Sequence, residues 1–278
     1  MHSSILVISL LVGLAPAIPS GSGSKVVLEK RQSSCPSVWT EATADLKASF
    51  VGSDGLCTDD ARAAIRLSFH DCFPEACDGS IVLSDECTSR GENSQLTSIC
   101  STIGSKATQY NVSTADMIQF GTAMGIASCP GGPLISFKVG RTDTTTANPS
   151  GQMPGANTDA TTLISQFAAK GFTATELVAL VGAHSTAKNL GGTALDSTVG
   201  DWDVTYYSET ADGTAPASIN ADKFLSNASE TASTWSGFAA SQAAWNAAFV
   251  PAMEKMAVLG NDEASLIDCS SVISDAFA

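Results

Sequence analysis

Arg66 and His70, in the run Arg66-Leu67-Ser68-Phe69-His70-Asp71-Cys72, stand four residues apart. On a helix that spacing sets a permanent cation and an imidazole one turn above each other on one face, with Asp71 about a quarter turn away. The pair suits heterolytic cleavage of a polar bond: the imidazole moves a proton near neutral pH and the guanidinium stabilises the departing anion. The same spacing also occurs wherever an ordinary helix carries a surface arginine and a core histidine, so a second motif is needed. Leu177-Val178-Ala179-Leu180-Val181-Gly182-Ala183-His184-Ser185 is an apolar helical run ending in a histidine. The chain has three histidines, and the third, His2, lies in the N-terminal leader.

Helices must hold these side chains. Apolar residues recur at helical spacing from Ser37 to Phe50, at Val38, Leu46 and Phe50, with Gly52 and Gly55 beyond the end. Cys57-Thr58-Asp59-Asp60 caps the helix of Arg66 and His70, its carboxylates at the positive end of the helix dipole. Pro74 to Ser80 reads as a tight loop. Further helices are expected over Gln95–Lys106, Thr114–Ala127, Asp159–Ala168, Thr175–Ala187, Ala221–Leu225 and Trp235–Leu259, with a short extended piece at Phe137–Arg141. Thr142 to Asn157, rich in Thr, Asn, Gly and Pro, is expected as loop over a packed domain. Asn189 to Ser218 has little apolar periodicity, and a structureless stretch of that length inside a domain needs something to hold it. The expected fold class is mostly α, a single domain with minor β.

At 278 residues and 44% hydrophobic content, the chain suffices for one large domain with a buried cofactor. Residues 1–17 read as a secretory signal: an apolar run, Ile5 to Leu14, precedes the small-residue site Ala15-Pro16-Ala17. Residues 18–31 read as a propeptide ending at the dibasic Lys30-Arg31, which leaves residues 32–278 as the mature domain. No later segment has the run of about 18 apolar residues that a membrane span requires. The whole chain carries a net charge of −14; the leader holds Lys25, Lys30 and Arg31 against Glu29, a net +2, so the remainder stands at −16. Such a surface repels nucleic acid and suits an acidic extracellular medium. All eight cysteines follow the leader, and an even count in a secreted chain argues for four disulfides. Asn111-Val112-Ser113 and Asn227-Ala228-Ser229 are glycosylation acceptors.

The two histidine motifs, in this order and separation, resemble the distal and proximal signatures of the plant, fungal and bacterial haem peroxidases, and the resemblance extends from Cys35 to the C-terminus. It implies one helical domain with helices on both sides of a buried haem b, acting as a secreted monomer on hydrogen peroxide and small aromatic electron donors. By this resemblance His184 is the axial iron ligand, His70 the distal acid and base, and Arg66 the group that stabilises the charge of peroxide cleavage. Asn93 would hold the second nitrogen of His70, with Glu86 as its support, although Glu86 lies seven residues before Asn93 where the family has six. Asp222 matches the carboxylate that makes the axial histidine electron-donating. Phe69 stands where the intracellular branch has Trp, which favours the secreted fungal branch.

Two calcium ions are implied as well. Hard oxygen donors around the loop leaving the distal helix suit such a cation: Asp71, Asp78 and Ser80 with the carbonyl of Ala76. The second set is Ser185, Asp196, Thr198 and Asp203 with the carbonyl of Asp201. The family likeness pairs Cys57 with Cys129 and Cys72 with Cys77; for the rest Cys87–Cys100 and Cys35–Cys269 are taken, a connectivity that sequence leaves open.

Specialised donors find little in the chain. Lignin-degrading relatives carry a surface tryptophan five residues before the axial histidine, and Ala179 stands there. Manganese-oxidising relatives need three carboxylates, and the corresponding positions are Asp59, Ala63 and Leu190. Leu195 replaces a phenylalanine usual in fungal relatives. Trp39, Trp202, Trp235 and Trp245 are expected as packing residues rather than electron relays. Two other readings compete: a zinc enzyme using His70, Cys72 and Cys77, which an oxidising compartment disfavours, and a non-catalytic secreted protein retaining the scaffold.

Overall fold

The described part of the chain, residues 34–278 of a computed structural model, opens with α1 (Val38–Phe50), which buries Trp39, Ala42, Leu46 and Phe50 along one face. The expected signal and propeptide boundaries lie outside the described residues. α2 (Asp59–Cys72) follows a capped start: the Thr58 side chain accepts the Ala61 N–H, and Asp59 and Asp60 occupy the first turn. The turn after Cys72 leads into the short α3 (Ser80–Leu83) and α4 (Glu86–Ser89), then a 3₁₀ segment, Gly91–Leu96.

α5 (Thr97–Tyr110) and α6 (Thr114–Ser128) complete the first half. α6 is buried along nearly all its length and packs along α2. Gly125 permits that approach, because a Cβ there would sit 2.7 Å from the Ala61 carbonyl oxygen. Thr122 Oγ1 donates to the Ala64 carbonyl at 2.9 Å and Ser68 Oγ to Gln119 Oε1 at 2.9 Å, which fixes the two helices in register.

The second half contains α7 (Ala160–Ala169), α8 (Ala174–Val181), α9 (Thr205–Asp212), α10 (Asn220–Asn227), α11 (Ala232–Ala239), α12 (Gln242–Met256) and α13 (Ser270–Phe277). β1 (Lys138–Val139) and β2 (Ile267–Asp268) form one antiparallel pair, Lys138 opposite Asp268. The fold is thus mostly helical with very little strand, and the helices of both halves share one hydrophobic core. Trp39, Trp202, Trp235 and Trp245 are all buried in it.

Several boundaries differ from expectation. The segment from Asn189 to Ser218 is not structureless: it contains α9, whose Tyr206, Tyr207 and Thr210 are buried. Aromatic and β-branched residues have weak intrinsic helix preference, so tertiary burial makes this helix and local pattern does not reveal it. The single helix expected over Trp235–Leu259 is two, because Ser241 caps a new start by accepting the Ala244 N–H. α13 went unforeseen, and the helix expected to begin at Gln95 begins at Thr97 after a 3₁₀ turn.

The disulfides join Cys35 to Cys269, Cys57 to Cys129, Cys72 to Cys77 and Cys87 to Cys100, and no described cysteine is free. With Cys72 and Cys77 bonded to each other, the thiolates needed for the zinc reading are not available.

Candidate active site

His70 and His184 line one cavity of about 330 Å³, together with Arg66, Phe69, Leu195 and Asp222. α2 supplies His70, Arg66 and Phe69 from one face, as the four-residue spacing requires. His184 comes from the 3₁₀ turn Gly182–Thr186 that ends α8. That helix stops where it does because aromatic donors take its terminal carbonyls: Tyr207 Oη donates to Val178 O at 2.8 Å and Trp245 Nε1 to Ala179 O at 2.9 Å. Gly182 lies so close to both aromatic rings that no side chain fits there.

The tautomer of His70 follows from its neighbours. Arg66 Nε can only donate, and it lies 3.0 Å from His70 Nε2, so that nitrogen carries a lone pair. The proton therefore sits on Nδ1, which donates to Asn93 Oδ1 at 2.7 Å. The Asn93 amide is oriented in turn by donating from Nδ2 to the Glu86 carbonyl at 3.2 Å. Glu86 thus serves Asn93 with its backbone; its carboxylate pairs with Arg90 at 2.6 Å and accepts the Asn148 N–H at 2.8 Å. Burial and then the Arg66 charge pull the His70 pKa down to about 3, against a smaller upward effect of Asn93, so the imidazole is neutral over most of the acid range. Burial also lowers the pKa of Arg66.

Gln95, which sequence reasoning missed, accepts from Arg66 Nη1 at 2.6 Å and donates to Asn189 O at 2.8 Å. Arg66 Nη2 also donates to Glu92 O at 3.0 Å. The guanidinium is thereby held from two sides, and the bridge crosses from the distal helix to the loop after His184. Only the proximity of Gln95 to the Asn93 motif could have pointed to it.

On the opposite wall His184 Nδ1 donates to Asp222 Oδ2 at 2.9 Å, and Asp222, near the start of α10, is buried. An acceptor at Nδ1 leaves the lone pair on Nε2, the nitrogen a metal would take. Phe69 packs edge-on to His70 with ring centroids 5.9 Å apart and stacks toward Phe167. A flat apolar macrocycle fits this setting, with two imidazoles on the walls of a cavity lined mainly by Leu, Ile, Phe, Met and Ala.

The two oxygen sets differ. In the first, Asp71 accepts the N–H groups of Gly79 at 3.1 Å and Ile81 at 3.4 Å, and Asp78 accepts that of Ser80 at 3.0 Å. Ser80 Oγ accepts from Asn148 Nδ2 at 2.9 Å, and Ala76 lies in the turn between Phe73 and Cys77. Burial, with the charges of Asp78 and Glu86 adding to it, raises the Asp71 pKa to about 8 against the opposing Gly79 and Ile81 bonds.

In the second set, Ser185 Oγ, Asp196 Oδ2 and Thr198 Oγ1 are buried without any hydrogen-bond partner. Asp203 Oδ1 accepts the Thr205 N–H at 2.8 Å, and the Asp201 N–H donates to Thr198 O at 2.8 Å. Burial lifts Asp196 to about 7, with Asp203, Glu209 and Asp201 adding to the rise. Orphaned buried oxygens on three residues of one set fit a hard cation. Among the described residues no three His, Cys, Asp or Glu side chains gather as a metal site by themselves, so hydroxyl and carbonyl oxygens must contribute.

Residues 42–241 match the peroxidase family and residues 245–277 the fungal peroxidase extension region. A peroxidase of Arthromyces ramosus is 30% identical, over 94% of this chain and 83% of its own length. A manganese peroxidase of Phlebia radiata is 31% identical, over 84% and 75%, and a versatile peroxidase of Pleurotus eryngii 30%, over 78% and 69%.

Proposed function

Since the chain belongs to the peroxidase family and is a hydrogen-peroxide-dependent oxidoreductase, we propose that it is secreted and oxidises small phenolic or aromatic donors, one electron at a time, at the haem edge. The observation that carries this reading is the pair of histidines lining one cavity with opposite partners, Arg66 and Asn93 at one, Asp222 at the other.

Haem b would supply the redox chemistry at which peroxide is reduced. His70 Nε2 accepts the proton of the nearer peroxide oxygen and returns it to the farther one, which leaves as water. Asn93 keeps the His70 proton on Nδ1, so the reacting lone pair stays on the cavity side. Arg66 stabilises the negative charge that grows on the departing oxygen. His184 would hold the iron, and Asp222, by accepting its N–H, would strengthen it as an electron donor.

Manganese is not the donor in this reading. Asp59, the one acid at the three relevant positions, is paired through Oδ1 with Arg62 and with Lys188 at 2.8 Å, and Ala63 and Leu190 supply no carboxylate beside it. Ala179, at the place of a surface tryptophan, is buried beneath Trp245. The mouth instead presents Met153, Pro154 and the well-exposed Leu190, a surface that suits aromatic rings. Calcium is proposed at both oxygen sets, where it would tie the loops beside His70 and His184. The mature chain is proposed to begin at Gln32 and to act as a monomer in an oxidising medium, in keeping with four disulfides and exposed Asn111 and Asn227.

The test is an absorption spectrum of the purified protein before and after peroxide, followed by turnover of a simple methoxyphenol and of Mn²⁺. A haem band that changes with peroxide, rapid phenol oxidation and no saturable Mn²⁺ oxidation are expected. Absence of haem sinks the site assignment, and saturable Mn²⁺ oxidation sinks the choice of donor.

A further inference from the structure

In the exposed run from residue 145 to residue 152 one residue turns inward: Asn148 is buried, while the residues on both sides of it lie at the surface. A loop buries a lone polar side chain where its hydrogen bonds are met. Asn148 Nδ2 donates to Ser80 Oγ at 2.9 Å and, at a longer 3.5 Å, to the carbonyl of Asp71, the residue after His70. Anchored in this way on α3 and α2, Asn148 uses its main chain to grip α4. Its N–H donates to Glu86 Oε1 at 2.8 Å and its carbonyl accepts from Arg90 Nη2. Arg90 closes the ring by pairing with Glu86 at 2.6 Å.

Glu86 and Arg90 are also the two residues that hold Asn93. The Glu86 carbonyl accepts from Asn93 Nδ2 at 3.2 Å, and the Arg90 carbonyl accepts the Asn93 N–H at 3.0 Å. α4 has four residues, too few to hold itself, so its place is set from outside. The Cys87–Cys100 disulfide ties it to α5, and Asn148 ties it to α2 and α3. The direction of the Asn93 amide depends on that place, because Oδ1 faces His70 while Nδ2 has its acceptor in Glu86. With the amide turned over, Arg66 Nε and Asn93 Nδ2 would both point donors at the imidazole, whose own N–H would then face a donor instead of an acceptor.

We propose that Asn148 is a positioning residue for the peroxide step: by clamping Glu86 and Arg90 it keeps the Asn93 carbonyl on His70 Nδ1, and so keeps the His70 lone pair toward the cavity. The proposal rests on the reading of His70 as the base.

In the haem-loaded enzyme Asn148→Ala should slow the peroxide step about tenfold, a fraction of the 10²–10⁴ that general acid–base catalysis is worth, with haem content unchanged. Cyanide, which arrives as HCN and must pass its proton to a base as it binds, examines His70 without turnover and should bind about tenfold more weakly to the same variant. In an Asn93→Ala background both losses should shrink to less than about twofold, because residues that act through one another are not additive. Should Asn148→Ala not fold, Asn148→Asp, of the same shape but without an N–H to donate, must show the same dependence on Asn93. Unchanged peroxide rate and cyanide affinity, or losses of equal size with and without Asn93, overturn the proposal. A His70→Ala enzyme as fast with peroxide as its parent overturns the reading of His70, and the proposal with it. A slow His70→Ala enzyme beside unaltered Asn148 variants overturns the proposal alone.

Discussion

On the His70 side of the cavity the polar groups form a chain whose links are made: Arg66 to His70, His70 to Asn93, Asn93 to the Glu86 backbone, and Arg66 again to Gln95. On the His184 side the imidazole is bonded to Asp222, while Ser185 Oγ, Asp196 Oδ2, Thr198 Oγ1 and Tyr206 Oη are buried without partners. The distal wall is therefore organised by the polypeptide itself, as a group that must present one lone pair in one direction requires. On the proximal wall the calcium proposed above would supply the partner that these oxygens lack. In the proposed reading one side moves a proton and the other holds a metal.

The sharpest way to break this division is to exchange the fates of the two histidines. His70→Ala should slow the peroxide step by roughly 10²- to 10⁴-fold, the usual worth of general acid–base catalysis, while haem stays bound; His184→Ala should lose the haem. Rapid-mixing absorbance with peroxide measures the first and the haem-to-protein ratio the second. Loss of haem from His70→Ala together with its retention in His184→Ala would reverse the assignment.

Calcium removal comes next in size. Three oxygens of the proximal set, Ser185 Oγ, Asp196 Oδ2 and Thr198 Oγ1, lack partners, whereas Asp71, Asp78 and Ser80 of the distal set all have one, so chelation should loosen the His184 face first. A fall in Tm of roughly 5–10 °C is expected if the bound ion contributes 2–3 kcal/mol, along with spectral change at the axial ligand. Unchanged Tm after verified metal loss would remove the cation from the account, and equal loosening of both faces would erase the contrast.

A smaller effect concerns pH. The folded His70 pKa of about 3 lies below its ordinary 6.5, so between these values the unfolded chain binds a proton that the folded chain refuses. This group's contribution to stability therefore falls as pH drops from 6.5 toward 3 and levels off below. The same depression keeps the base active, so the acid limb of the peroxide step should lie near pH 3. Arg66→Leu removes a neighbouring positive charge and should move that limb to higher pH; a limb that stays in place would show that burial alone sets it. The smallest change is Gln95→Ala, which frees one side of the Arg66 guanidinium and should slow the peroxide step by only a few fold, without altering haem content.

Local features of the site were legible because they reside within a few residues. Arg66 and His70 share a face through one helical turn, Thr58 with Asp59 and Asp60 marks the start of that helix, and the apolar run into His184 announces its own helix. Asn93 and Asp222 came from family likeness to short motifs, and the structure brings them to their histidines at 2.7 and 2.9 Å. Gln95 and Asn148 were not legible, since each acts through a partner far along the chain: Gln95 bridges Arg66 and Asn189, and Asn148 ties Ser80 to Glu86. The helix bearing Tyr206 was hidden for the same reason, because burial against α10 and α11 holds it rather than its own periodicity.

By itself, the amino-acid sequence determined that two helices each carry a histidine suited to chemistry, that the chain is mostly helical, and that eight cysteines are available to pair. Tertiary structure alone decided that both imidazoles look into one cavity, that Cys35 meets Cys269 across 234 residues, and which buried oxygens keep or lack a partner. The physical reason is range. Helix periodicity and capping are fixed by hydrogen bonds within four residues, whereas the shape of a cavity and the satisfaction of its polar atoms depend on how distant elements pack into a common core.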